Sequence, residues 1–172
     1  MKKAFALFGV MTICAGIVLV NCGQKVKVTE EQLYAKVLDF QNKQQWQDVA
    51  ASYETLIKSF PKSAKADEYL YNLGMVYANN LKEYRKAVEA WKKLVKQHPD
   101  SRLVINTKFM IGYCLANDIK DLPKAKEAYE QFLKEYPEHE LAPSVRWELD
   151  HLGQDISQID LKLGEEEVAA TK

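Results

Sequence analysis

Histidine, glycine and cysteine are all scarce in this 172-residue chain, and neither sign of charge is in excess. The three histidines, His98, His139 and His151, lie far apart, and none has a second ligand or a nucleophile at a workable helical spacing. That argues against a metal centre and against nucleophilic catalysis. The seven glycines form no phosphate-cradling loop, and neither a His-Glu-x-x-His pair nor a serine on a strand-to-helix elbow is present. With 24 Lys plus Arg against 24 Asp plus Glu, no basic excess exists to hold nucleic acid. Acidic pairs such as Asp67-Glu68 and Glu138/Glu140 read as solvated charges and as first-turn residues favoured by the helix dipole. The expectation is a protein without catalysis, cofactor or metal.

What the chain has instead is periodicity. Phe60-Pro61, His98-Pro99 and Tyr136-Pro137 recur every 38 residues. At that offset Tyr53, Trp91 and Tyr129 form one column, Leu56, Leu94 and Phe132 a second, and Ile57, Val95 and Leu133 a third. Further columns are Ala35, Leu73, Ile111 and Leu149, and Leu33, Tyr71, Phe109 and Trp147, while Gly74 matches Gly112. The unit begins four times and finishes three times. Between Tyr84 and Gln97 the apolar positions Ala87, Val88, Ala90, Trp91, Leu94 and Val95 follow a three-and-four step, with Lys86, Glu89, Lys92, Lys93 and Lys96 on the other face. This is helical spacing. Each proline stops a helix, since it has no amide hydrogen and disfavours helix in the residue before it. A new helix is expected near Ala66, Leu103 and Leu141. Each unit is thus a pair of antiparallel helices, and neighbouring pairs must stack to bury their apolar faces.

A helix pair with Leu73-Gly74 and Tyr77 in its first helix, then Ala87, Trp91 and Pro99, resembles the tetratricopeptide repeat. The third unit repeats the pattern with Ile111-Gly112, Leu115, Ala125, Tyr129 and Pro137. The resemblance spans residues 29–153 and implies an all-α, right-handed α-solenoid of about three and a half repeats. The family's usual period is about 34 residues; the longer one here resolves into about three extra residues after each proline and one between the helices. The first unit departs from the pattern, with Lys36 at the glycine position and Val49 at the small alanine position.

Before the repeats the chain opens Met1-Lys2-Lys3 and runs apolar from Ala4 to Val20, ending Asn21-Cys22. A positive start, an apolar core and a cysteine resemble a bacterial lipoprotein signal, which implies residues 1–21 as a signal peptide and lipidation at Cys22. Asn21 departs from the small residue usual before that cysteine, and an uncleaved anchor or a structural apolar helix are the alternatives. Cys14 would leave with the signal and Cys114 would remain alone in a helix, so a mature chain could build no disulfide framework. Gly23 and Gln24 after the cysteine favour outer-membrane sorting in the lipoprotein analogy. Residues 22–28 read as a short tether, and residues 154–172 as a cover segment (Ile156, Ile159, Leu161, Leu163) with a flexible acidic tail, Glu165 to Glu167. The lipoprotein resemblance thus implies a chain of the cell envelope, lipid-anchored and facing the periplasm, expected at the outer membrane.

The family resemblance implies that the first helix of each pair lines a groove for a protein or peptide partner. By position this groove carries Leu33, Tyr71, Phe109 and Trp147, then Val37, Met75, Tyr113 and His151, with Asn79 and Asn117 at its edge. The same ladder could instead pack between repeats. It offers no Lys or Arg for a carboxylate clamp, so apolar and aromatic contacts are expected. The turns Phe60-Pro61-Lys62-Ser63 and His98-Pro99-Asp100-Ser101 are similar to those of periplasmic repeat proteins of the outer-membrane assembly and Tol-Pal-associated type. Lys92 to Asp100 also looks like the basic helix and His-Pro-Asp of J-domain co-chaperones, but the same place in the other repeats holds plain turns. The second reading is a self-assembling envelope protein, a homo-oligomer joined through Trp147, Leu149 and Leu152 of the incomplete last unit.

Overall fold

The computed structural model describes residues 28–154. The expected signal peptide (1–21), the expected lipidation site Cys22 with its tether as far as residue 27, and the expected cover segment and acidic tail from residue 155 onward lie outside the described residues. Among the described residues seven α-helices follow one another: α1 (Glu30–Asn42), α2 (Trp46–Ser59), α3 (Ala66–Met75), α4 (Tyr84–Gln97), α5 (Val104–Tyr113), α6 (Leu122–Glu135) and α7 (Ala142–Asp150). Helices α3 and α5 each continue into a π-helical stretch, Val76–Leu81 and Cys114–Asp118. Among the described residues there is no strand.

Helices α3 and α5 each pack on their own second helix and on that of the preceding unit, while α1 packs on α2 and α7 on α6, so that α1, α3, α5 and α7 form one layer and α2, α4 and α6 the other. The chain is an α-solenoid. The columns of the 38-residue repeat fill the space between the layers: Tyr53, Trp91 and Tyr129 are buried, as are Leu56, Leu94 and Phe132. Burying an aromatic side chain of this size stabilises by about 3 kcal/mol, so this one column supplies much of the inter-layer cohesion. Trp91 lies so close on α3 that a Cβ at Gly74 would meet its Nε1 at 2.1 Å, and that nitrogen donates to the Tyr71 carbonyl at 3.2 Å. Gly112 stands in the same relation to Tyr129, at 2.5 Å. Glycine is there because the helices approach to contact distance.

The turns obey the 38-residue period strictly. Ser63, Ser101 and His139 occupy one place, and their Oγ, Oγ and Nδ1 accept from the amides of Lys65, Leu103 and Leu141. Their own amides donate to the carbonyls of Phe60, His98 and Tyr136. His98-Pro99-Asp100 is therefore the same turn as its two neighbours. At the other end of each pair, Gln44, Lys82 and Lys120 have positive φ, at 55°, 57° and 62°.

Helix α1 breaks the period by one residue. After the positive-φ residue, the amide of Gln45 donates to Phe40 O, whereas the amides of Glu83 and Asp121 reach back one residue further, to Tyr77 O and Leu115 O. The π stretches of α3 and α5 accommodate that extra residue, which α1 lacks. A second contact gives the same offset. Ser63 Oγ donates to Glu30 Oε1 and Ser101 Oγ to Asp67 Oδ2, both at 2.5 Å, and Glu30 and Asp67 are 37 residues apart. The one additional residue expected between the helices thus lies inside the first helix, and only in the second and third units. In the first unit Val37, not Lys36, takes the glycine register: Val37 is fully buried and Lys36 is exposed. Thr29 fixes the start of α1 through a capping box with Gln32.

Candidate binding groove

The offset decides what the outer face of the first-helix layer presents. Leu33, expected to head the aromatic column, is 8% exposed and belongs to the core, packed under the α1–α2 pair. Tyr34 takes its place. This corrects the sequence-based assignment, and the cause is the missing residue in α1, which rotates that helix by one position relative to α3.

With α1 taken at 37 residues and the others at 38, four rows run across the four helices. They are Glu31, Glu68, Asn106 and Ser144; Tyr34, Tyr71, Phe109 and Trp147; Ala35, Asn72, Met110 and Glu148; and Leu38, Met75, Tyr113 and His151. None of these sixteen side chains is buried. The ladder is therefore an open face and does not pack between repeats. Tyr34, Tyr71, Met75, Phe109 and Met110 rest one side on the core and show the other to solvent. Four large apolar side chains are exposed among the described residues: Val28 and Leu38 at 45%, Tyr113 and Trp147 at 40%. Three of the four lie in this ladder.

The rings are held in place by their neighbours. Phe109 and Tyr113 sit one turn apart with centroids 6.1 Å apart, and Trp147 stacks on His151 at 4.5 Å. Tyr34 lies 6.0 Å from Tyr69, with Lys65 Nζ 5.6 Å above its ring. Asn79 is exposed at the end of α3; Asn117 is half-buried and donates to Glu148 at 3.4 Å. Glu148 also accepts from the Tyr129 hydroxyl at 3.5 Å, and Glu68 pairs with Arg102 at 3.2 Å. Tyr34, Leu38, Asn72, Met110 and Glu148 were not singled out from sequence, and Ala35 was aligned with Leu73, in a different column. A signal for them existed: Val37 to Val49 spans 12 residues where Gly74 to Ala87 spans 13.

The ends of the array are polar where another unit would dock. The row of Tyr69, Leu73 and Val76, and of Thr107, Ile111 and Cys114, packs on the preceding unit; its counterparts in α1 are Gln32, Lys36 and Asp39, all exposed. On α7 the side that a further second helix would cover carries Arg146 and Asp150, both exposed. Trp147 is open, while Leu149 and Leu152 are half-buried against the core.

Burial pushes the Cys114 thiol up to about 12, which keeps it protonated and unreactive, and it points at the Tyr84 carbonyl 3.8 Å away. Burial raises the hydroxyls of Tyr69, Tyr77 and Tyr129 as well, so they remain donors to Glu30, Glu54 and Glu148. Among the described residues no three His, Cys, Asp or Glu side chains assemble as metal ligands would, and no helix is long and apolar enough to cross a membrane.

Residues 68–101 and 107–139 match the tetratricopeptide repeat family. The match falls on the two units that carry the wide turn and the glycine. It supports reading the chain as a tetratricopeptide repeat protein, a class that generally serves as a protein-interaction scaffold without catalysis of its own. A comparison with curated proteins finds no significant match.

Proposed function

We propose that this protein is a scaffold of the bacterial cell envelope, held to a membrane through lipid on Cys22, that grips an extended or helical segment of a protein partner along the outer face of α1, α3, α5 and α7. One observation carries the groove: Leu38, Tyr113 and Trp147, three of the four large apolar side chains left exposed among the described residues, fall in one ladder. Exposed large side chains in register are the material of binding hot spots. The anchor rests on the sequence, a positive start and apolar run ending at Cys22. The outer membrane, facing the periplasm, is the location that Gly23 and Gln24 favour in the lipoprotein analogy.

The polar side of α7 weighs against the second reading, a homo-oligomer joined through the open terminal repeat. Arg146 and Asp150 would have to be desolvated there.

Site-specific photocrosslinking in intact producing cells tests the groove. A photoreactive residue in place of Leu38, Tyr113 or Trp147 is expected to yield one common adduct, absent when the probe replaces Lys93 or Lys126 on the other layer. Adducts from Lys93 and Lys126 alone would remove the groove from the reading. Metabolic labelling with a fatty-acid analogue tests the anchor: the chain takes up label and Cys22→Ser does not. Equal labelling of both would sink the lipoprotein assignment and leave the groove untouched.

A further inference from the structure

The two layers of the solenoid differ in charge. The first helices with their π extensions carry eight carboxylates against three cations, Lys36, Lys108 and Arg146. The second helices carry nine cations against six carboxylates. The bias is sharper on the face itself. None of its sixteen positions is Lys or Arg, three are glutamate, and the three first-layer cations all lie off it.

The carboxylates also stand in a particular relation to the rings. Glu31 precedes Tyr34 by three residues on α1, and Glu68 precedes Tyr71 by three on α3. Side chains at that spacing are neighbours on a helix surface. A carboxylate beside an aromatic face attracts a cation twice, by charge and by the ring quadrupole. Among the described residues the Glu68 side chain is held by Arg102, whose own side chain is 81% exposed, and Lys65 Nζ lies 5.6 Å above the Tyr34 ring, where an incoming cation must displace it. Such exposed contacts contribute little and exchange readily for a ligand's cation.

We propose that the segment this groove accepts is basic as well as apolar, with lysine or arginine interleaved among large apolar side chains: the cations go to Glu31/Tyr34 and Glu68/Tyr71, and the apolar groups go to Phe109, Tyr113 and Trp147. Acidic segments are turned away, because a carboxylate brought against Glu31, Glu68 or Glu148 would meet like charge. The chain's own Glu165 to Glu167 run is excluded on the same ground. The inference rests on the groove being the binding surface and adds the charge of what it binds.

The test uses the full chain purified in detergent and three synthetic twelve-residue peptides. Each alternates Leu and Phe with a second residue, which is Lys, Gln or Glu. Calorimetry is expected to rank them Lys over Gln by about tenfold or more, with no binding of the Glu peptide. The Lys advantage should shrink as salt rises from about 50 to 300 mM, where screening shortens the reach of charge. Glu31→Gln with Glu68→Gln should erase most of that advantage and leave the Gln peptide where it was. If the Gln or Glu peptide binds as tightly as the Lys peptide and Tyr71→Ala with Phe109→Ala abolishes it, the groove stands and the charge inference falls. If Lys-peptide binding survives Tyr71→Ala with Phe109→Ala, the groove itself is wrong. Absence of binding by all three peptides overturns the inference.

Discussion

The first repeat and the two that follow solve the same packing problem with helices of different length. In the second and third, a wide turn takes up one residue more, and the first helix lies against an aromatic ring with only a glycine between. In the first, the turn is tighter, Phe40 accepts where Tyr77 and Leu115 accept later, and Val37 fills the glycine register. Tyr53 also leans toward the next unit, 6.2 Å from Tyr69. The lesson is that a repeat period belongs to an element and not to the whole unit. The second helices and turns of this chain keep 38 residues throughout, while α1 keeps its own register and rotates a different set of side chains into the groove.

Substitutions at the register itself separate the two descriptions most sharply. Val37→Asp places an unpaired carboxylate in a fully buried site and is expected to cost about 4 kcal/mol, whereas Lys36→Gln should stay within about 0.5 kcal/mol. Urea denaturation of both variants measures this, and a Lys36 variant as damaging as the Val37 one would restore the uninterrupted 38-residue period. Next in size is Leu33→Ala, expected to lose about 3 kcal/mol as a core cavity. Tyr34→Ala should lose less than half of that and be felt in partner capture instead. The reverse ranking by thermal melting would return Leu33 to the groove.

The close approach in the later repeats gives a third, smaller effect. Gly74→Ala drives a methyl into the Trp91 indole and should cost about 2 kcal/mol, and Gly112→Ala about the same against Tyr129. A neutral outcome for both would mean that the second and third pairs are no tighter than the first. The smallest effect is local to the third unit, where Lys108 occupies the register that Leu70 fills in the second and pairs with Glu135. Hydrogen bonds from Lys108 and then Gln131 hold the Glu135 carboxyl below its ordinary range. A carboxylate with a depressed folded value stabilises above the unfolded value near 4 and loses that contribution as pH falls through the folded value. Lys108→Met should therefore lower stability at neutral pH by under about 1 kcal/mol, leave strongly acid pH unchanged, and so flatten the acid limb of the stability profile. A steeper acid limb in the variant would contradict the pairing.

Much of this architecture is legible in the residues. Pro61, Pro99 and Pro137 mark where the second helices stop, and α3, α5 and α7 begin at Ala66, Val104 and Ala142, within a residue of where periodicity puts them. Gly74 and Gly112 announce close contacts that the structure places against Trp91 and Tyr129. Of the groove, Tyr71, Met75, Phe109, Tyr113 and Trp147 were readable because those helices do keep the 38-residue spacing. Leu33 was misplaced because leucine and tyrosine at adjacent positions are both plausible on either face, and local pattern alone does not choose between them.

The sequence by itself determined the helix pairs, their number and their stacking, because prolines, glycines and apolar spacing act locally and each repeat restates them. Only the tertiary structure decided the rotation of α1, the openness of the aromatic ladder and the acidic bias of its face. Those depend on a hydrogen-bond count at one turn, where Gln45 reaches Phe40 while Glu83 and Asp121 reach one residue further back, and that single residue turns a helix by about 100° of side-chain direction.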